Sequence, residues 1–219
     1  MFVFDLDDTL YKERDYVDSG RRCVARHFAD RVGMSAEELY TKMIQAVDPF
    51  DAVVTLSNDT VSIADILDVY RRHMPDIALD QKTTRVLTTL KARGERLGII
   101  TDGRSVGQHN KIEALKLNRF FDDDAITVSE DIGAEKTEPL AYEMFKERFA
   151  DEKRFIYVGD NPIKDFEHPR ARGWVTVMLA APEGVNIHRQ NLMELAPTKR
   201  PDIVIFDLET LLELFPSNK

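Results

Sequence analysis

The chain has 219 residues, 43% of them hydrophobic and 32% charged, a balance that excludes a disordered tail and a membrane-embedded protein. Lys and Arg total 30 against 39 Asp and Glu, for a net charge of −9, which argues against nucleic-acid or membrane partners and requires an anionic substrate to be met by local cations. The single cysteine, Cys23, excludes an internal disulfide and any multi-cysteine metal site. With no signal-like start and no run long enough to span a bilayer, the sequence predicts a cytoplasmic protein, monomeric or homodimeric.

Taken in chain order, the first predicted element is the apolar run Phe2-Val3-Phe4, a strand. Only four residues precede Asp5, so minimal pairing within a sheet is expected of it. From residue 11 to residue 75 no strand pattern occurs. Instead Val24 and Phe28, then Leu39, Met43, Ile44 and Val47, then Ile63, Ile66, Leu67 and Tyr70 recur at three and four residues, which predicts several helices. Turn chemistry at Asp48-Pro49 and Ser57-Asn58-Asp59 separates them, and Met74-Pro75-Asp76 ends the last. Val86, Leu87 and Leu90 then predict a helix before Arg93-Gly94, and Leu97-Gly98-Ile99-Ile100 a buried strand. Ile112, Ala114 and Leu115 mark another helix, and residues 140–149 one more, opening just after Pro139. Phe155-Ile156-Tyr157-Val158, Val175-Thr176-Val177-Met178-Leu179 and Ile203-Val204-Ile205-Phe206 read as further buried strands, with Trp174 packing at the start of one. Alternating strand and helix imply an α/β fold, a doubly wound, Rossmann-like parallel sheet. The all-helical block reads as an inserted cap, residues 11–78, dividing a core of residues 1–10 and 79–219.

Ligands of doubly wound sheets bind at the carboxyl ends of the strands, so polar residues that directly follow an apolar run are the candidates. They are Asp5-Leu6-Asp7-Asp8-Thr9-Leu10, Thr101-Asp102-Gly103, and Gly159-Asp160-Asn161-Pro162 with Asp165 beyond. Lys136 stands just before a helix, in Glu135-Lys136-Thr137-Glu138-Pro139. Carboxylates gathered at one edge cannot all remain ionised without a cation, and an oxygen-only donor set favours Mg²⁺. Together Mg²⁺ and Lys136 make such a site locally cationic, able to receive a phosphoryl group. His27, His73, His109, His168 and His188 have no ligand spacing and read as surface or packing residues.

The ordered segments DLDDTL, ITDG, EKTEP and GDNPIKD resemble the four motifs of the haloacid dehalogenase superfamily of phosphotransferases. The helical block between the first two is similar to the helical cap of one branch of that superfamily. The resemblance implies that Asp5 is the nucleophile, forming an aspartyl-phosphate, and that Asp7 is the general acid and base, with a pKa raised by the crowding carboxylates. It implies that Thr101 and the amides around Asp102 and Gly103 hold phosphoryl oxygens, while Lys136 neutralises the transferring group. The metal set implied by the resemblance is Asp5, Asp7 through its main-chain carbonyl, Asp160 and Asp165, the last acting through a bound water or by orienting Lys136. In the third motif Thr137-Glu138 separates the lysine from the proline that often follows it directly in relatives. Arg14, near the hinge, is a candidate for the leaving group. The run from Thr101 to Leu117 is similar to the matching part of sugar-phosphate phosphatases such as the N-acylneuraminate-9-phosphatase group. The expected function is Mg²⁺-dependent hydrolysis of a small phosphorylated metabolite, a sugar phosphate first, with a nucleotidase, a pyrophosphatase and a phosphomutase as alternatives.

Overall fold

A computed structural model describes residues 1–216. In chain order the elements are β1 (Phe2–Phe4), α1 (Glu13–Val32), α2 (Ala36–Gln45), α3 (Pro49–Leu56), α4 (Ile63–Arg72), α5 (Gln81–Ala92), β2 (Leu97–Thr101), α6 (Ser105–Ala114), β3 (Ile126–Val128), α7 (Ser129–Ile132), α8 (Leu140–Arg148), β4 (Ile156–Gly159), α9 (Glu167–Ala171), β5 (Val175–Leu179), β6 (Ile203–Ile205) and α10 (Thr210–Leu214). All strand pairings are parallel, in the order β3-β2-β1-β4-β5-β6. Among the described residues no helix is long and apolar enough to cross a membrane.

The first strand is short, as expected, but its pairing is far from minimal. Phe2 and Phe4 lie opposite Leu97 and Ile99 on one side and opposite Ile156 and Val158 on the other, so β1 is a central strand of the sheet. Its side chains alternate between two buried faces. Phe2 and Phe4 join a cluster with Val86 and Leu90 of α5, Ile112 of α6 and Leu211 of α10. Val3 joins the opposite cluster with Ala141, Tyr142 and Phe145 of α8. The result is a three-layer α/β sandwich with helices on both faces of the sheet. Strand β3 had no counterpart in the sequence reading, because three residues after Asp122-Asp123-Asp124 are too few to register as an apolar run.

Helices α1 to α4 pack around their own apolar cluster, with Val24, Phe28, Leu39, Met43, Val53 and Ile66 fully or almost fully buried. Local chemistry sets their ends. Gly33 closes α1 at φ +72°, a left-handed conformation that glycine adopts without strain. Ser35 and Glu38 form a reciprocal capping box at α2, Ser62 and Asp65 do so at α4, and Asp48 caps α3 with Pro49 in its first turn. The block meets the sheet layers at Tyr16 and Ile77, which belong to the core cluster. Asn110 of α6 donates to the carbonyls of Arg72 and His73 at 3.1 and 3.0 Å.

Candidate active site

From β1 the chain winds outward through β2 to β3 on one side, then returns to β4 and winds through β5 to β6 on the other. The reversal opens a crevice beyond the carboxyl ends of β1 and β4. Asp5 stands at the end of β1, its amide bonded to the Val158 carbonyl at 2.8 Å, and Asp160 directly follows β4. Between them Gly159 permits a close approach: a Cβ there would lie 2.4 Å from Asp165 Oδ2.

Asp5 (4% exposed), Asp160 (1%) and Asp165 (0%) are buried together, each offering an oxygen within 4.8 Å of the others. The Lys136 ammonium lies 2.7 Å from Asp5 Oδ1 and 2.6 Å from Asp165 Oδ1. Asp165 also accepts from the Tyr157 hydroxyl at 3.3 Å and from the Asn161 amide at 2.8 Å, so both its oxygens are already used by the protein. Burial, then Asp165 and Asp160, push the Asp5 carboxyl well above the usual carboxylate range despite Lys136. Burial and the Asp165 charge push Asp160 up to about 7. Burial also works against the charge on Lys136, but Asp165 and Asp5 outweigh it and raise that group. A divalent cation fits this donor set, because hard oxygen ligands in a buried, under-compensated acidic cluster are what Mg²⁺ requires. Asp5 and Asp160 have oxygens to spare for it, whereas Asp165 is placed to orient Lys136.

The Asp7 side chain lies outside that cluster. Its Oδ1 accepts from the Tyr11 hydroxyl, Lys111 Nζ lies 2.8 Å from both of its oxygens, and Gln108 donates to Oδ2 at 3.1 Å. Burial alone would raise the Asp7 carboxyl, but the Lys111 ammonium and these donors outweigh it and hold the group below its ordinary value. The expected elevation by crowding carboxylates is therefore reversed: the nearest charge to Asp7 is a cation. Gln108 also donates to Thr101 Oγ1 at 2.5 Å and to the Asp102 carbonyl at 3.1 Å, tying the end of β2 to Asp7. Lys111 sits 4.2 Å from the centre of the Tyr16 ring of α1, so one cation joins the helical block to the sheet domain.

The remaining predicted residues are placed as follows. Asp102 accepts from the Lys136 amide at 2.8 Å and from Lys164 Nζ at 3.0 Å, so its side chain holds the Lys136 loop in place. The Gly103 amide is donated to Ser129 Oγ at 3.0 Å. Arg14 is exposed, donates to the Gly184 carbonyl and lines a surface hollow that also has His188 in its wall but not Asp5. A cavity of about 120 Å³ is lined by Asp5, Asp7, Lys136, Asp160, Lys164 and His188. A neighbouring one of about 190 Å³ shares Asp7 with it and is walled by Tyr16, Arg71, Arg104 and Lys111. Sequence reasoning missed Tyr11, Gln108, Lys111, Lys164 and Asn186; His188, read as a surface or packing residue, is exposed and borders the cavity from its solvent side. Gln108 and Lys111 carried a signal, being three apart on the buried side of a predicted helix that also presents Ile112.

A family profile described as haloacid dehalogenase-like hydrolase matches residues 2–179, most of the chain. The chain belongs to that family. This haloacid dehalogenase-like hydrolase is 26% identical over 236 aligned positions to a glyceraldehyde 3-phosphate phosphatase of Methanopyrus kandleri, covering 97% of this chain and 94% of the relative. It is 28% identical to a glyceraldehyde 3-phosphate phosphatase of Methanocaldococcus jannaschii, covering 81% and 83%. Its fold superposes on a HAD-hydrolase, YfnB of Bacillus subtilis, described as bound to magnesium, with a TM-score of 0.64, 21% identity, and coverage of 98% and 97%.

Proposed function

We propose that this hydrolase cleaves a small phosphoric monoester of sugar-phosphate type, with Mg²⁺, through an aspartyl-phosphate on Asp5. One observation carries the reading: two carboxylates from one strand end occupy different environments, Asp5 beside Lys136 and the acidic cluster, Asp7 beside Lys111. Asp5 is thereby placed to attack phosphorus, and Asp7, facing the neighbouring cavity, to carry the proton of the leaving group. Asp5 and Asp160, with the Asp7 carbonyl, would hold the cation, which when bound supplies charge neutralisation between the carboxylates and the phosphoryl group. In the first half-reaction an Asp5 oxygen bonds to phosphorus, the ester P–O bond breaks, and the leaving oxygen takes a proton from Asp7, which enters this step protonated because the negative charge of the bound ester offsets Lys111. In the second, Asp7 accepts a proton from water, that water bonds to phosphorus, and the acyl-phosphate bond breaks to regenerate the Asp5 carboxylate. Lys136 offsets the charge of the transferring group throughout.

The larger cavity adjoins Asp7, where the leaving group must lie, and its walls, with Glu13, Tyr16, Arg71 and Gln108 among them, offer donors and acceptors to a short hydroxylated leaving group. The names of the curated relatives support the same class. The helical block over this cavity acts as a cap, closing residues 11–78 against the core and excluding water during transfer. A proton carrier at Asp7 also favours ester cleavage over carbon–halogen cleavage, since a halide leaves without a proton. The single, half-buried Cys23 is consistent with a reducing, cytoplasmic setting.

The test is phosphate release from a panel of sugar phosphates, nucleoside monophosphates and pyrophosphate, with Mg²⁺ or EDTA. Asp5→Asn is expected to abolish turnover and Asp7→Asn to lower it about 10²–10⁴-fold. Undiminished turnover by Asp5→Asn removes the covalent route, and isomerised phosphate esters in place of free phosphate convert the reading to a mutase.

A further inference from the structure

Beyond the matched residues, the segment that follows β5 crosses the carboxyl edge of the sheet without regular secondary structure. Asn186 lies within it, 7% exposed, and donates from Nδ2 to Asp160 Oδ2 at 2.9 Å. Its Oδ1 faces Lys12 Nζ at 3.3 Å. A carboxylate needs a donor and an ammonium needs an acceptor, so only this orientation of the amide satisfies both neighbours. The adjacent Ile187 amide donates to Asp8 Oδ2 at 2.9 Å. Gln190 Nε2 donates to the main-chain carbonyls of Asp160 and Leu179, each at 2.9 Å, while its Oε1 accepts from the Ala181 amide at 2.8 Å. The segment therefore grips Asp160 twice, at its side chain and at its backbone, and is moored at Asp8 and Lys12, the residues that lead into α1.

We propose that Asn186 is a positioning residue for the cation site: by occupying Asp160 Oδ2 from outside, it turns the other oxygen of Asp160 toward Asp5. This deepens the metal-dependent reading given above and rests on it. The physical need is plain, because Asp160 is buried within reach of two other acids, Asp165 and Asp5, whose like charge repels it. A donor on its far oxygen offsets part of that repulsion and fixes the rotation of the carboxylate. Lys12, on the opposite side of the amide, then links the orientation of Asp160 to the start of the helical block. A partner of this kind, one step removed from the ion, is typically worth 10–100-fold in metal affinity.

The experiment is calorimetric titration of Mg²⁺ into the metal-free full chain, for the wild type and for Asn186→Leu, which keeps the volume of the side chain and removes both hydrogen bonds. The wild type is expected to bind Mg²⁺, and the variant to bind it about 10–100-fold more weakly. Phosphatase activity of the variant should return toward the wild-type kcat as Mg²⁺ is raised, with KM for the phosphate ester unchanged. A merely structural role would not give that recovery. Should Asn186→Leu not fold, as judged by its melting in EDTA, Asn186→Ser is held to the same criterion. Wild-type binding with an equal affinity in the folded variant overturns the role of Asn186 alone. Absence of Mg²⁺ binding by the wild type overturns the metal-dependent reading, and this inference with it.

Discussion

The ion pair between Lys111 and Asp7 allows a quantitative test. The two side chains are 6% and 18% exposed, with the ammonium 2.8 Å from each carboxylate oxygen. Lys111→Met keeps an unbranched chain of similar length and removes the charge, leaving Asp7 buried with only Tyr11 and Gln108 as donors. Breaking a buried pair from one side costs about 3–5 kcal/mol. Two surviving hydrogen bonds and partial exposure of Asp7 place the expected loss at the lower end, about 3 kcal/mol at neutral pH. The sign with pH follows from the wild-type shift. Asp7 is held below its ordinary value near 3.8, so its contribution is present above that pH and is lost as acid carries the protein through the lower, folded-state value. The gap between variant and wild type should therefore be full at pH 7 and close as Asp7 becomes protonated. Urea denaturation in EDTA between pH 2 and pH 8 measures it, and Asp7→Asn combined with Lys111→Met should recover most of the loss. A deficit that is the same at every pH, or a coupling energy near zero in the double-mutant cycle, would refute the electrostatic account of Asp7.

Three further outcomes follow from the acidic cluster. Asp160 is raised to about 7 by burial and by Asp165, so protons and Mg²⁺ compete for it, and calorimetric Mg²⁺ affinity should weaken as pH drops from 8 to 6. In the metal-free protein the same shift removes stability as pH rises from the unfolded value near 3.8 through about 7, and added Mg²⁺ should reverse that loss in thermal melts. Gly159→Ala drives a methyl group to 2.4 Å from Asp165 Oδ2 and 2.8 Å from its Cγ, displacing the partner of Lys136. It should cost about 1–3 kcal/mol in denaturation and most of the phosphatase activity; wild-type behaviour in both would show that Asp165 has room to move.

What the sequence disclosed is uneven for physical reasons. Buried parallel strands announce themselves as apolar runs, so β1, β2, β4, β5 and β6 were legible, and the acids that end β1 and β4 could be placed at one edge before any coordinates. The central position of β1 was not legible, because three residues carry no record of what lies on either side of them. The fault over Asp7 was one of neighbours. Acids close in sequence suggested repulsion, whereas Lys111, 104 positions away, is nearest in space. Gln108 and Lys111 left a trace as polar residues on a helix flank that ought to be apolar. Asn186 left none, since an irregular segment has no period against which an amide stands out.

The placement of β1 between β2 and β4 has a bearing on how this enzyme could change over time. Asp5 is carried by backbone clamped on two sides and sealed above and below by side chains of two separate clusters. Its reactive oxygen thus has a fixed address, while Tyr16 and Arg71, which wall the neighbouring hollow, are borne by helices with an independent core. Mutational drift in those helices can retune which ester is admitted and leave the proposed nucleophile where it is, so selectivity and chemistry are free to evolve at different rates.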